Sequence, residues 1–163
     1  MRSAAILAVT IVAVSCAHPE RPHVEDLRAP AEQYLSAVYG CRSELVDSVV
    51  SDSIVASYPI FETVFGTSAL RGREAVRRYA EGFCGRWADP ELTIHEAVQD
   101  GRRVALVWEF RAVPTFGDSL NDSISAAPQS WGGITFLRFD EAGKVVLEVG
   151  EESTPGPMAR ISR

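Results

Sequence analysis

Apolar positions along this chain change period once, from helical spacing in the first half to alternation in the second. Tyr34, Leu35, Val38 and Tyr39 share one side of a helix that opens at Pro30 and ends near Gly40. Ser43 then stands as a cap for a second, short helix whose stripe is Leu45, Val46, Val49 and Val50. In residues 72–83, Val76, Tyr79, Ala80 and Phe83 repeat at i, i+3, i+4 and i+7. Arg73, Glu74, Arg77, Arg78 and Glu81 take the opposite, wet side of this third helix. Between the second and third helices, β-branched Ile54 and Val55 precede Pro59, which disfavours helix at Tyr58. Residues 53–58 therefore read as a brief extended segment, and 60–71 as a loop.

Beyond residue 90 the pattern is strand-like, in segments 91–98, 103–113, 130–140 and 144–152. Asp100-Gly101 and Ala142-Gly143 are hairpin turns, and a long polar loop with Pro114, Gly117 and Pro128 separates the middle pair. In the second of these strands Val104, Leu106, Trp108 and Phe110 share one face, while Arg103, Glu109 and Arg111 share the other. Helices followed by antiparallel strands predict an α+β domain with its helices packed on one face of the sheet.

Length and charge narrow the function. A chain of 163 residues holds one domain plus a short appendage. The net charge of −6 and the lack of any Lys/Arg cluster exclude the electrostatic footprint that nucleic acid requires. Three His, three Cys and no CxxC give no metal site, and nothing in the sequence calls for a cofactor. No Ser-His-Asp spacing and no Gly-rich phosphate loop is present.

The apolar content of 46% includes an uncharged run, residues 4–14, too short to span a bilayer but suited to a signal peptide. Ala13-Val14-Ser15-Cys16 resembles the lipobox of bacterial lipoproteins, which places a signal peptide at 1–15 and acylation on Cys16. Ordinary cleavage after Ala17 also satisfies the small-x-small rule and would give a secreted or periplasmic protein instead. An acylated Cys16 followed by Ala17 rather than aspartate implies an outer-membrane anchor where the cell has one. Residues 16–29, with His18 and His23, read as a polar tether, and 155–163 as a C-terminal tail. Asn121-Asp-Ser123 fits a glycosylation pattern but is discounted on the bacterial signal. Cys41 and Cys84 remain after processing. They either pair in an oxidising compartment or stay as two small buried thiols, and the sequence leaves both open.

Three stretches in this order and spacing carry a resemblance: QYLSAVYGCRSELVDSVVSDSIVASYPIF, then LRGREAVRRYAEGF, then TFLRFDEAGKVVLEVGEE. They resemble the nuclear transport factor 2-like superfamily, in its SnoaL-like and ketosteroid isomerase-like branches, across residues 30–154. The resemblance implies a cone, in which a curved antiparallel sheet wraps around three N-terminal helices and encloses a pocket. Ketosteroid isomerases need an aspartate base before the proline, a tyrosine and a protonated carboxylic acid, an arrangement long used to illustrate tuned carboxyl acidity. Here Tyr34 matches the first-helix tyrosine, Tyr58 stands at the base position and Thr135 at the acid position. Tyrosine is a poor base at neutral pH, and threonine is far less acidic than a carboxylic acid. The pocket is expected to persist without the isomerase machinery.

The expected pocket lining is Tyr34, Tyr58, Trp108, Phe110 and Thr135, and each aromatic ring among them has core packing as its plainer reading. The catalytic candidates are Tyr34, Tyr58 and Glu148, the last because it sits mid-strand, although a solvated sheet-face glutamate is its simplest reading. Glu151 and Glu152 read as wet surface near a strand end, Asp47 and Asp52 as solvated ends of the second helix, and His95 as a surface histidine opposite Leu92, Ile94, Glu96 and Val98. Ile134 and Phe136 point away from Thr135, so a further layer, such as a second copy of the chain, is expected on that face. The sequence thus favours an exported protein that holds a small apolar or aromatic molecule, or a protein partner, over catalysis. A general acid/base cyclase, isomerase or dehydratase is the alternative.

Overall fold

Tyr34, Leu35 and Val38 occupy the buried side of helix α1 (Arg28–Val38) in a computed structural model that describes residues 25–115 and 127–161. Tyr39 caps its end and is buried with them. A 3₁₀ turn at Ser43–Leu45 leads into the single-turn helix α2 (Val46–Val49), which buries Val46 and Val49, and strand β1 (Val50–Ser57) follows.

Residues 60–71 do not form the expected loop. Pro59 opens a short helix, α3 (Pro59–Phe65), which Gly66 ends in the left-handed conformation, and Leu70–Arg71 form strand β2 against β1. The end signals were present in the sequence, Pro at the first helical position and Gly just past the last. The stripe between them was not, because Phe61 is buried whereas Ile60 and Phe65 are exposed.

Helix α4 (Arg73–Cys84) buries Val76, Ala80 and Phe83. Two of its expected wet residues are ties. Arg73 bonds Asp52 at 2.8 Å and the Val50 carbonyl at 2.9 Å, and Arg77 bonds Asp47. Asp47 and Asp52 are solvent-exposed as expected, but Asp52 lies within β1 rather than at a helix end, and the two fasten α4 across α2 and β1.

Strands β3 (Trp87–Asp100), β4 (Arg103–Pro114), β5 (Gln129–Phe139) and β6 (Val145–Ser153) complete a six-stranded sheet in the order β2-β1-β6-β5-β4-β3. All neighbours run antiparallel except β1 and β6, which are parallel. That pair joins the helical half of the chain to its last strand. A bulge between Ile94 and Glu96 breaks the β3 alternation. Glu96 and Val98 therefore turn outward, Val98 being 66% exposed, while Ala97 faces the core. His95 stays on the surface, 3.6 Å from Glu109. The expected tail contains a short helix, α5 (Pro157–Ile161). The signal segment with Cys16, the tether histidines His18 and His23, and Asn121-Asp-Ser123 lie outside the described residues.

Cys41, just past α1, and Cys84, the last residue of α4, form a disulfide with a Cα separation of 5.4 Å. The bridge spans 43 residues and ties together the ends of the two longest helices. Replacing both cysteines with serine should lower the unfolding free energy by roughly 2–4 kcal/mol, the range for cross-links of this loop size. Urea titration of the oxidised parent and the double variant checks it.

Candidate functional site

Strand β6 presents Glu148, Gly150 and Glu152 to the inside at a spacing of two, from the depth of the cone to its open end. Across the sheet Leu137 pairs with Glu148, Thr135 with Gly150 and Gly133 with Glu152, and Trp108 on β4 lies opposite Gly133. The two glycines make room for rings. A Cβ at Gly150 would stand 2.0 Å from Tyr58 Cε1, and one at Gly133 would stand 2.8 Å from Trp108 Cζ2. Tyr58 and Trp108 therefore occupy the space that side chains at these two positions would take.

Glu148 is not the solvated glutamate its sequence context suggests, because only 2% of it is exposed. Its position opposite Leu137, beneath α1, puts it on the core face. Tyr34 donates to Oε2 at 2.6 Å and Tyr58 donates to Oε1 at 2.9 Å. Tyr58 Oη also lies 2.7 Å from Thr135 Oγ1, which accepts from Trp108 Nε1 at 2.8 Å. Four contacts are thus served by four protons when the carboxyl is ionised. Trp108 donates to Thr135, Thr135 to Tyr58, and both tyrosines to Glu148. A proton on Glu148 adds a fifth donor to four contacts and leaves one without an acceptor.

Burial opposes these tyrosine bonds and dominates, holding the Glu148 carboxyl at about 7, with nearby Glu152 adding a smaller push upward. Burial also drives the hydroxyls of Tyr34, Tyr39 and Tyr58 well above their ordinary range, so none of them serves as a base near neutrality.

Tyr34, Trp108, Phe110 and Thr135, expected to line a pocket, are fully buried. Trp108 stacks on Tyr39 at 5.0 Å, and Phe110 packs edge-on against Phe83 and tilted against Trp131. Rings occupy the interior that the resemblance assigns to ligand. Of the expected lining, Tyr58 borders an opening.

That opening is a cleft of about 480 Å³ at the end of the cone, bordered by Tyr58, Pro59, Ile60, Trp131 and Glu152 among others. A smaller hollow of about 210 Å³ shares Ile60, Trp131 and Glu152 with it and adds Phe65, Tyr79, Phe83 and Arg86. Glu152 stands where the two meet. Partial burial lifts its carboxyl to about 7, against a smaller opposing influence from the Tyr39 hydroxyl. That hydroxyl is buried and has no hydrogen bond within 3.5 Å. Glu152 is expected from the sequence as wet surface, Trp131 is among the rings able to line or cover a cavity, and nothing in the pattern brings Tyr79 and Tyr39 beside Glu152. The available signal was the repeat of two from Glu148, which puts Glu152 on the same face.

A model of the SnoaL-like domain matches residues 31–148. The chain belongs to the SnoaL-like family. No functionally curated protein matches it. Solved structures similar to this SnoaL-like chain include IdmH from Streptomyces antibioticus, a candidate polyketide cyclase, at 14% identity and TM-score 0.66 over 85% of this chain and all of that one. An LEH-like epoxide hydrolase from M. tuberculosis aligns at 17% identity and TM-score 0.60, covering 82% of this chain and 86% of its own. A candidate ketosteroid isomerase from Kribbella flavida aligns at 19% identity and TM-score 0.57, covering 80% and 79%. These likenesses establish the SnoaL-like fold, which hosts several chemistries.

Two outcomes follow from the buried network. Thr135→Val keeps the side-chain shape but strands the Trp108 N–H and one Tyr58 contact, and should cost about 1–3 kcal/mol in urea unfolding. Glu148 and Glu152 are raised in the fold from a usual 4.5 to about 7, so the native state binds more protons between those values. Stability from these groups is full below about pH 4.5 and is lost as pH rises through about 7. Glu148→Gln should remove much of that slope in unfolding curves taken from pH 4.5 to 8.

Proposed function

We propose that this SnoaL-like protein binds a small, flat, apolar or aromatic molecule in the cleft at the open end of its cone, after export to the bacterial cell envelope. The observation that carries the reading is the cleft itself. Its volume of about 480 Å³ falls within the usual range for small-molecule sites, and Tyr58, Ile60 and Trp131 supply apolar walls beside one partly buried carboxyl. The interior behind it is filled by packed rings, so the ligand is held at the mouth.

A second reading rests on Glu152. A carboxyl that titrates at about 7 on the wall of a cleft suits general acid/base work at neutral pH, as a cyclase, isomerase or dehydratase would require. Binding is the simpler function, because the other carboxylate on that cleft wall, Glu151, is exposed to solvent and burial holds the Tyr58 hydroxyl neutral. A protein partner at the mouth is a third outcome for the same test.

Export is supported by the apolar run ending at Ser15-Cys16 and by the Cys41–Cys84 pair, which a reducing cytoplasm would not maintain. Acylation of Cys16 would anchor the chain, with the polar residues before buried Leu27 and α1 as tether, two to three residues shorter than the sequence suggests. The homodimer reading rests on Ile134, Phe136 and Val149, partly exposed on the outer face of adjacent strands β5 and β6.

Native mass spectrometry of protein purified from its source should show a co-purifying small molecule, and Trp131→Ala should abolish its retention. A ligand-free chain with a co-purifying protein would favour the partner, and turnover of the captured molecule that Glu152→Gln stops would favour the enzyme. Mass analysis of the membrane fraction should find a chain that starts at an acylated Cys16, whereas an unmodified start at His18 would discard the anchor. Sedimentation at micromolar concentration should give a dimer that Phe136→Glu dissociates.

A further inference from the structure

We infer that the ligand held at the mouth of the cone is an organic cation, a compact tertiary or quaternary ammonium with an apolar body, whose charge rests between Glu152 and the neighbouring aromatic faces. The inference deepens the proposed binding function and rests on it. It begins from an imbalance of burial between the two charged groups at this end of the fold. Glu152 is largely buried where the two hollows meet, whereas Arg86, the other charged residue of the smaller hollow, is exposed to solvent and lies 5.9 Å over the Phe83 ring. An opposite charge gains most from the partner that water screens least, and here that partner is the carboxylate.

The walls fit the same ligand. Trp131 and Tyr79 border the hollow that Glu152 enters, and Phe65 and Phe83 complete it. Aromatic faces attract ammonium groups through the negative potential over the ring, and cages of such rings are a recurrent way to hold quaternary amines. An anion would meet those faces and the carboxylate with the wrong sign, and a neutral molecule would leave Glu152 desolvated without a partner. The overall charge of −6 favours approach of a cation as well.

The buried Tyr39 hydroxyl has no hydrogen bond and lies close enough to Glu152 to favour its ionised form. It is an unpartnered polar group on the inner side of the site, suited to donate to the carboxylate that a bound cation keeps charged. The other titratable or charged groups at this end of the fold are Tyr58 before α3, Tyr79 on α4, Glu148 on β6, exposed Glu151 and Arg86 at the rim, and Arg160 on α5, which donates to the Ser153 hydroxyl at 3.2 Å. The tyrosines remain neutral at working pH and the rim charges are solvated, so the pH dependence belongs to Glu152 together with Glu148, of which Glu152 alone borders the hollow.

The test compares benzyltrimethylammonium with its neutral isostere neopentylbenzene and with benzenesulfonate, by isothermal titration and NMR shifts on the oxidised full domain. The cation should bind at least tenfold tighter than the isostere at pH 8, and its affinity should fall severalfold towards pH 6 as Glu152 takes up a proton. Glu152→Gln should bring the cation down to the level of the isostere and leave the isostere unchanged. Should that variant fail to fold, Arg86→Gln serves in its place and should widen the preference for the cation over the isostere. An isostere that binds the parent as well as the cation, or preferred benzenesulfonate, overturns the cation inference and leaves the cleft as a binding site. Failure of all three probes to bind would overturn the cleft reading together with it.

Discussion

The carboxylate of Glu148, sealed beneath Tyr34 and Tyr58, is the constraint around which the rest of the domain is arranged. Its two oxygens take one hydroxyl from α1 and one from the junction of β1 and α3, and the chain of donors continues through Thr135 on β5 to Trp108 on β4. One buried acid thereby fixes the helical layer, the parallel strand pair and two strands of the antiparallel sheet relative to each other. A carboxyl at this depth is tolerated only because each donor finds an acceptor, and an incomplete set would leave a desolvated polar group. The glycines opposite follow from the same constraint. Gly150 must lack a side chain for Tyr58 to reach Glu148, and Gly133 must lack one for Trp108 to reach Thr135.

This arrangement explains why the positions matched to the isomerase machinery hold a tyrosine and a threonine. In this chain those groups face each other at 2.7 Å across a filled interior, and they satisfy a buried acid rather than a bound substrate. The aromatic residues continue the filling outward, from Tyr39 stacked on Trp108 to Phe83, Phe110 and Trp131, until the packing opens at the mouth. The packing ends at the rim, where Glu152 borders the cleft while Glu148 stays sealed behind it.

Most of the framework was legible in the sequence because periodicity is a strong signal when a face is fully buried. Val104, Leu106, Trp108 and Phe110 alternate without interruption on β4, and all four are buried. The first and third helices were equally plain, as Tyr34, Leu35, Val76 and Phe83 lie in the core. What escaped was structure whose pattern is local or interrupted. The bulge at Ile94 and Glu96 reverses the facing of every later residue in β3, and an alternation count has no means of registering one extra residue. Helix α3 escaped because it buries only part of its surface. The site was half legible: Tyr34, Tyr58, Thr135 and Glu148 were singled out separately, but their joining into one network depends on tertiary contacts between residues up to 114 positions apart.

The two carboxyls of β6 also connect the core to the rim. Glu152 raises the pKa of Glu148, so the charge state at the mouth is felt in the network that holds the layers together. Burial raises both carboxyls to about 7, and the charge on Glu152 pushes Glu148 further up. A positive charge placed beside Glu152 would compensate its burial and relieve the repulsion on Glu148 in the same step. Ionised Glu148 is the state in which every donor of the network has an acceptor, so neutralising the rim favours the best-bonded form of the core. The period of two that sets Glu148, Gly150 and Glu152 on one face therefore does more than shape a wall. It couples the accessible acid to the buried one through a glycine that leaves room only for the Tyr58 ring.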